Sequence, residues 1–334
     1  MSDIKKILVP TDFSENSVSA YTHAQELAGK YGAEIDLLHV IPTMKYFFES
    51  LDKLDIPLDI TGEEDLYPHI VEETEHKLLG VMDDYFKKEN RGAVEARIDR
   101  KASRAIVDMA EKGGYDLIVM SANGEHESDI LRGSVNEKVI RHSTVPVFSV
   151  DKRLNPEGLK RILVPTDSSE RSFACFPLAL RLAETYDAEI TLFHVLELHG
   201  TLSESIPKDP MKSDEVNIYE TIIDRLDDYL IEKKMHDVQI RRGEVHFEDQ
   251  IVITDGASSK TYQLNTVIER AVSAHYGIED YGPENADVIV MTTHGRTGLA
   301  HLFLGSTTEN VAQHVDMPVV TVKPKKEELK ERET

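Results

Sequence analysis

The stretch from residue 292 to residue 308 combines glycines, hydroxyl side chains and a guanidinium in a pattern that suits phosphate binding. Glycine lets the backbone approach an anion closely because it has no side chain. Gly305 and Ser306 stand at the start of a predicted helix, where free N–H groups and a partial positive charge favour phosphate. A helix capped by Ser306 and turns made by the glycines explain the same residues without a ligand, so local chemistry leaves both interpretations open. The candidate ligands in this stretch are Thr292, His294, Gly295, Arg296, Gly305, Ser306 and Thr307.

Patterns for other kinds of chemistry are absent or isolated. The chain has no His-Glu-x-x-His zinc pattern, no Gly-x-x-x-x-Gly-Lys-Ser/Thr phosphate loop and no Gly-x-Ser-x-Gly nucleophile turn. Glu73 and His76 have the spacing of one di-iron pair, but no second pair accompanies them, which favours a solvated helix face. The single cysteine, Cys175, falls in a predicted helix core. We therefore expect no catalytic residue and no metal-binding residue.

The composition is that of an acidic globular protein. The 334 residues are 40% hydrophobic and 30% charged, and 61 acidic against 38 basic residues give a net charge of −23. This balance argues against nucleic acid and anionic membranes as partners, because both attract basic surfaces. No apolar run is long enough to span a membrane, and the N-terminus lacks a secretory pattern. Together with the cysteine count, these features predict a cytoplasmic protein.

The chain contains one pattern twice. Residues 6–12, KILVPTD, recur as residues 161–167, RILVPTD, and the offset is 167 minus 12, or 155. The block at residues 38–40 recurs at the same offset, and three later blocks recur in the same order at offsets of 171 or 172. Five matched blocks in one order indicate two homologous halves.

Each half alternates short apolar runs with amphipathic stretches. Ile7 to Pro10 predicts a buried strand, and Ser17 to Tyr31 has the apolar spacing of a helix. Strands that alternate with helices indicate a parallel sheet covered on both faces. We predict an α/β fold with two doubly wound, Rossmann-like domains, each a five-stranded parallel sheet with helices on both faces. The predicted parts are domain one (1–152), a linker (153–159), domain two (160–324) and a charged tail (325–334).

An alignment of the two halves locates the insertions. We align Val94 with Val238 as part of the third strand of each half, and Ile106 with Val267 in the following helix. Residues 247–265 then form an insertion in the second half. An Asp-Gly pair between apolar runs in this insertion predicts a β-hairpin.

Ligands of open α/β sheets bind beyond the carboxyl ends of the strands, where the strand order switches. Three segments of each half should therefore meet: the turn after strand one, the end of strand two and the loop after strand four. The glycine-containing stretch that begins at Thr292 is the third of these segments in the second half.

The order of the repeated blocks resembles the universal stress protein family, twice over nearly the whole chain. These blocks are strand-Pro-x-Asp, His-Val, Asp-x-Ile-Val-Met, His-Gly-Arg, Gly-Ser and Pro-Val. The resemblance implies a tandem member with an adenine nucleotide alpha hydrolase-like fold. ATP-binding members carry Gly-x-x-Gly, nine residues and Gly-Ser/Thr, which this sequence matches at Gly295, Gly305 and Ser306. Thr292 stands where the family has its first glycine. The nucleoside-side residues implied by the resemblance are Pro165, Thr166, Asp167 and Val195.

The first half departs further from the family pattern. Only eight residues separate Gly124 from Gly133, and Ser121 replaces the first glycine. Three carboxylates between residues 125 and 129 stand where a triphosphate would lie, and like charges repel. This half is either degenerate and structural or holds a different ligand. An apolar stripe within residues 46–54 covers its cleft or binds a partner. The weaker candidate ligands of this half are Asp12, Val40, Gly124, Gly133 and Ser134.

We expect a stress-response regulator or sensor that binds ATP in its second half, with bound Mg²⁺, slow hydrolysis and an unidentified protein partner left open. The alternative is a scaffold, or a carrier of a small molecule or lipid instead of a nucleotide, which Thr292 and the acidic first loop favour. A nucleotidyl transferase would need a His-x-Gly-His or Ser-Gly-Gly turn, where this chain has Pro-Thr-Asp. By the family resemblance, residues 146–150 and 318–322 pair as edge strands in an intramolecular pseudo-dimer, and a homodimer is left open.

Overall fold

The computed structural model describes residues 4–43, 63–122, 134–150, 158–198, 211–294 and 304–324. The chain divides into two compact units, Met1–Arg153 and Leu154–Thr334. Residues 153–157 of the predicted linker, the charged tail and the apolar stripe at 46–54 lie outside the described residues.

The first unit contains a parallel sheet with the strand order β3-β2-β1-β4-β5. Right-handed crossovers in this order place helices on both faces of the sheet. The strands are β1 (Lys6–Pro10), β2 (Glu34–Pro42), β3 (Arg91–Asp99), β4 (Leu117–Ser121) and β5 (Val147–Val150). The helices are α1 (Ser17–Tyr31), α2 (Glu63–Tyr85), α3 (Ala102–Lys112) and α4 (Ser134–His142).

The second unit repeats this sheet and extends it. Its strand order is β12-β11-β6-β7-β10-β9-β8, in which the first five strands are parallel and the last two are antiparallel. The predicted fold class is therefore confirmed, with two further strands at one edge. The strands are β6 (Arg161–Pro165), β7 (Glu189–Glu197), β8 (Val238–Arg241), β9 (Glu248–Asp255), β10 (Ser258–Ala271), β11 (Val288–Thr292) and β12 (Val319–Val322). The helices are α5 (Phe176–Tyr186), α6 (Met211–Glu232), α7 (Ala274–Asn285) and α8 (Ser306–His314).

Local sequence explains the elements that begin each unit. The apolar run of β1 is completely buried from Ile7 to Val9, as expected for a strand covered on both faces. Helix α1 buries its alanine-rich stripe against the sheet and ends at Gly32, whose φ of 64° lies in the left-handed region. Asp187 ends α5 in the same conformation, with φ of 52°. Both helices therefore stop at the same point of the repeat.

The alignment of Val94 with Val238 is wrong. Leu37 of β2 pairs with Val94, and its counterpart Leu192 of β7 pairs with Thr266 of β10. The third strand of the second unit is therefore β10, and the offset there is 266 minus 94, or 172. Val267 lies in this strand, so its alignment with a helix residue is also wrong. The insertion precedes the third strand and does not follow it.

The predicted hairpin is confirmed. Strands β9 and β10 pair antiparallel from Ser258 opposite Asp255 to Asn265 opposite Glu248. From Leu264 onward, β10 also pairs in parallel with β7, so this 14-residue strand belongs to both the hairpin and the parallel sheet. The parallel part follows the hairpin without a break, and this continuity conceals the third strand in the sequence.

Candidate functional site

A cleft opens at the carboxyl ends of β6, β7 and β11 in the second unit. It encloses about 760 Å³, including the part open to solvent. The turn after β6, the end of β7, the end of β11 and the start of α8 all contribute, together with the start of α7. The lining residues are Pro165, Thr166, Asp167, Ser172, Phe193, His194, Val195, Ala274, Ile278, Met291, Thr292, Gly305, Ser306, Thr307 and Thr308.

The turn after β6 is held by its own polar side chains. The Asp167 Oδ1 atom accepts hydrogen bonds from the Ser169 N–H at 3.0 Å and the Ser169 hydroxyl at 2.6 Å. The hydroxyls of Thr166 and Ser172 lie 2.7 Å apart. Ser168 adopts a left-handed φ of 61°, which the bonds on either side stabilise. The turn therefore presents a fixed polar edge to the cleft.

The end of β7 joins a polar group to an apolar wall. The His194 Nδ1 atom lies 2.8 Å from the Thr166 carbonyl oxygen, which ties β7 to the turn after β6. Phe193 stacks on Tyr281 with ring centroids 4.7 Å apart. A methyl group placed on Gly277 would lie 2.9 Å from the Val195 Cγ2 atom, so α7 packs tightly behind this wall. The wall is rigid and apolar, as a site for a flat hydrophobic group requires.

The start of α8 is fastened to the end of β11. The Gly305 N–H donates to the Thr293 carbonyl oxygen at 2.8 Å, and the Thr308 hydroxyl donates to the Thr292 carbonyl oxygen at 2.7 Å. A Cβ atom at position 305 would lie 3.1 Å from the Thr293 carbonyl oxygen, so glycine permits this close approach. The first N–H groups of α8 have no acceptor within the helix, and they begin at the cleft. The arrangement suits an anion.

Eight of the predicted ligands of the second unit line the cleft, one is described elsewhere, and two lie outside the described residues. His294 is buried, with its Nδ1 atom 2.8 Å from the Thr293 hydroxyl, and it is not among the lining residues. Gly295 and Arg296 lie outside the described residues. Thr292 replaces the family's first glycine without filling the cleft, because its buried hydroxyl donates to the His294 carbonyl oxygen at 3.0 Å. The predicted residues that line the cleft are Pro165, Thr166, Asp167, Val195, Thr292, Gly305, Ser306 and Thr307.

Sequence reasoning missed the apolar wall and part of the polar edge. Phe193 and His194 sit next to the predicted Val195, and Met291 next to Thr292, so strand-end position alone would have suggested them. Ala274 and Ile278 follow β10, which the alignment of the two halves does not identify as the third strand. The missed lining residues are Ser172, Phe193, His194, Ala274, Ile278, Met291 and Thr308.

The first unit has the same turn, with an aromatic side chain in place of a hydroxyl. The Asp12 Oδ1 atom accepts from the Ser14 N–H at 3.0 Å, and the His39 Nδ1 atom lies 2.8 Å from the Thr11 carbonyl oxygen. Phe13, at a left-handed φ of 63°, stands where the second unit has Ser168. Its ring centroid lies 4.7 Å from that of His39. Burial lowers the pKa of His39 from its ordinary value, against the opposing effect of the bond to the Thr11 carbonyl.

The other weaker candidates of the first unit are only partly described. Val40 is half-buried near the end of β2. Gly124 and Gly133 lie outside the described residues, and Ser134 begins α4 without a described side chain.

The described residues contain neither a metal-binding cluster nor a membrane-spanning helix. Within 4–43, 63–122, 134–150, 158–198, 211–294 and 304–324, no group of three or more His, Cys, Asp or Glu side chains is placed to hold a metal ion. None of the helices in these ranges combines the length and apolar character needed to cross a bilayer.

Comparison with known proteins gives a consistent family. The profile of the universal stress protein family matches residues 3–151 and again residues 158–323. A universal stress protein of Methanocaldococcus jannaschii is 31% identical over 162 residues, which is 45% of this chain and 96% of the relative. One of Mycolicibacterium smegmatis is 22% identical over 322 residues, covering 96% of this chain and 97% of the relative. A crystal structure of a universal stress protein from Archaeoglobus fulgidus has the same fold, with a TM-score of 0.61, 22% identity and coverage of 97% and 98%.

Proposed function

The chain belongs to the universal stress protein family, in tandem form, and from this premise we propose that it binds ATP in the cleft of its second unit as a stress-response regulator. One observation carries the proposal. Eight residues selected from the sequence, on three separate segments, meet in one cleft. Their convergence is not explained by helix capping alone, because the β6 turn and the end of β7 play no part in capping α8.

The cleft has chemistry for each part of an adenine nucleotide. Phe193, Val195 and Met291 supply apolar contact for a base. The polar turn at Thr166 and Asp167 supplies hydrogen-bonding groups for a sugar. The free N–H groups at the start of α8, with the hydroxyls of Ser306 and Thr307, supply donors for phosphates. Titration of ATP with and without Mg²⁺ tests whether the metal binds together with the phosphates.

Regulation follows from differential binding. A nucleotide that contacts both the β6 turn and the start of α8 stabilises the arrangement in which these segments are close. The surface around the mouth of the cleft then differs between the nucleotide-bound and the free protein. An unidentified protein partner binds one of these two forms in preference to the other. We propose that this activity lies in the cytoplasm, on the strength of the single cysteine.

We propose binding and not efficient turnover. The Asp167 Oδ1 atom already accepts two hydrogen bonds from Ser169, and the His194 Nδ1 atom is directed at the Thr166 carbonyl oxygen. Both groups thus help to hold the turn, which accounts for them without a role in hydrolysis. Phosphate release measured over hours distinguishes slow hydrolysis from none.

The two units should differ in nucleotide binding. Phe13 lies against His39 in the first unit, whereas His194 lines the open cleft of the second. Lys77 lies over the Phe13 ring, with its Nζ atom 5.6 Å from the ring centroid. The first unit therefore contributes structure or a different ligand, and the second contributes the nucleotide site.

The test measures nucleotide content and affinity in a matched pair of variants. Purified protein is denatured and the released small molecules are identified by mass, then ATP is titrated by calorimetry with and without Mg²⁺. We expect about one adenine nucleotide per chain, lost in Gly305→Glu and kept in Gly133→Glu, its counterpart in the first half. Two nucleotides per chain would contradict the asymmetry. No nucleotide and no heat on titration would remove ATP from the proposal and favour the non-nucleotide alternative.

A further inference from the structure

Strand β3 forms the outer edge of the first unit's sheet, and no strand among the described residues covers it. The equivalent strand of the second unit is β10. Its N-terminal half, from Ser258 to Asn265, pairs with the antiparallel strand β9. Uncovered edges carry rows of main-chain donors and acceptors that accept another strand. The second unit thus shows that this position of the fold accepts an antiparallel neighbour.

The direction of the main-chain groups on β3 follows from its neighbours. The Ala93 N–H donates to the Asp36 Oδ1 atom of β2 at 2.6 Å, at a shift in register between Ile35 and Leu37, and regular pairing of β3 with β2 runs from Val94 onward. The Thr266 N–H donates outward to the Phe247 carbonyl oxygen at 2.8 Å, and Val94 occupies the equivalent position of β3. The N–H and C=O groups of Val94, Ala96 and Ile98 therefore point away from the sheet.

The side chains of this edge are self-complementary. Residues 94–98 read Val-Glu-Ala-Arg-Ile, with an acid and a base placed symmetrically about Ala96. The side chains of Glu95 and Arg97 are 39% and 34% exposed and form an ion pair of 2.5 Å within the strand. Ile98 is 36% exposed.

We propose that β3 pairs antiparallel with β3 of a second copy of the chain, about a two-fold axis at Ala96. Val94 then lies opposite Ile98 of the second copy, and Glu95 lies opposite Arg97 of the second copy. Ala96 faces itself and exchanges both main-chain hydrogen bonds, because even-numbered residues point outward. The charged pairs occupy the non-hydrogen-bonded positions, where side chains across two strands are closest.

The charge of the edge selects a second copy as the partner. The whole chain carries −23, so most surfaces of two copies repel each other. Residues 91–99 contain two arginines, one glutamate and one aspartate, and their formal charges cancel. A two-fold contact there brings opposite charges together and buries the exposed Ile98. Such isologous pairing is also the commonest symmetry of protein dimers.

The first experiment is sedimentation velocity of the full chain between about 1 and 100 µM. We expect a monomer–dimer equilibrium that Ala96→Pro abolishes, because proline removes the two central N–H donors. The Ala96 N–H does not bond to β2, so the variant keeps its fold, which its circular dichroism spectrum and thermal melt verify. A wild-type chain that is monomeric throughout, or a dimer unaffected by Ala96→Pro, would overturn the proposal.

A charge exchange provides the matched control. Glu95→Arg alone sets arginines opposite each other, and we expect the dissociation constant to rise about tenfold. The double variant Glu95→Arg with Arg97→Glu restores both cross-strand pairs and should dimerise like wild type. Mixing Glu95→Arg with the single variant Arg97→Glu should give a heterodimer tighter than either homodimer. Equal dimerisation of all four proteins would show that this edge is not the contact.

Discussion

Replacing His23 by leucine should make the first unit less sensitive to acid. His23 is completely buried in α1, with its ring centroid 5.5 Å from that of Phe148. Its Nδ1 atom lies 2.8 Å from the Ser19 carbonyl oxygen, and its Nε2 atom has no hydrogen-bond partner among the described residues. The corresponding position of the second half holds Leu178, so leucine suits this point of the repeat.

The expected magnitude follows from the pKa of the imidazole. Burial lowers the pKa of His23 from 6.5 to about 4, because the charged ring would lose its water without gaining a counter-ion. The folded state then binds fewer protons than the unfolded state between these two values. The contribution of His23 to the free energy of unfolding is therefore nearly constant above pH 6.5 and falls as the pH drops from 6.5 towards 4. Linkage gives a loss of about 2 kcal/mol at pH 5 relative to pH 7.

The assay is urea unfolding at pH 7 and pH 5, followed by circular dichroism. Other groups also titrate in this range, so the quantity of interest is the pH effect in wild type minus that in His23→Leu. We expect a difference of about 2 kcal/mol. His236→Gln, which removes an exposed histidine, is measured alongside as the control variant. Equal losses of stability in wild type and His23→Leu would refute the reasoning.

Three further perturbations test other parts of the structure. Gly305→Ala should weaken ATP binding about tenfold in calorimetry, because the new Cβ lies 3.1 Å from the Thr293 carbonyl oxygen; unchanged affinity would show that the loop adapts freely. Phe13→Ser should expose the His39 ring and so raise the pKa of His39 towards its ordinary value, which NMR titration of the ring follows. An unchanged pKa would mean that Phe13 does not bury His39. Asp36→Asn should cost about 3 kcal/mol in urea unfolding, because this buried carboxylate holds a lysine, a tyrosine hydroxyl and a main-chain N–H, and a wild-type midpoint would contradict that role.

Elements with strong local signals could be predicted from the sequence, and those set by distant pairing could not. Helix α1 begins at Ser17 and ends at Tyr31, as predicted from the spacing of its apolar residues. The third strand of the second unit was misplaced because Val238 and its neighbours alternate like any half-buried strand. Only the pairing of Thr266 with Leu192, across 74 residues (266 minus 192), identifies β10 as the equivalent strand.

The candidate site divides in the same way. Gly305 and Ser306 could be selected because helix starts and glycines are visible in the sequence. His294 could not be excluded, because the bond of its ring to Thr293 depends on the path of the loop. Phe13 was overlooked because a single aromatic residue after β1 has no local meaning until its ring is placed on His39.

The double pairing of β10 has a consequence for the order in which the second unit folds. Its hairpin pairs join residues as close in sequence as Asp255 and Ser258, whereas its parallel pairs begin with Ile190 and Leu264, 74 residues apart. Hairpins form in microseconds, and loop-closure entropy delays distant pairs. We expect β10 to reach the growing sheet already bonded to β9, so its outer edge is never exposed to other nascent chains. No hairpin partner of β3 occurs in the part of the chain that the structure describes, and misassembly during synthesis should therefore begin in the first unit.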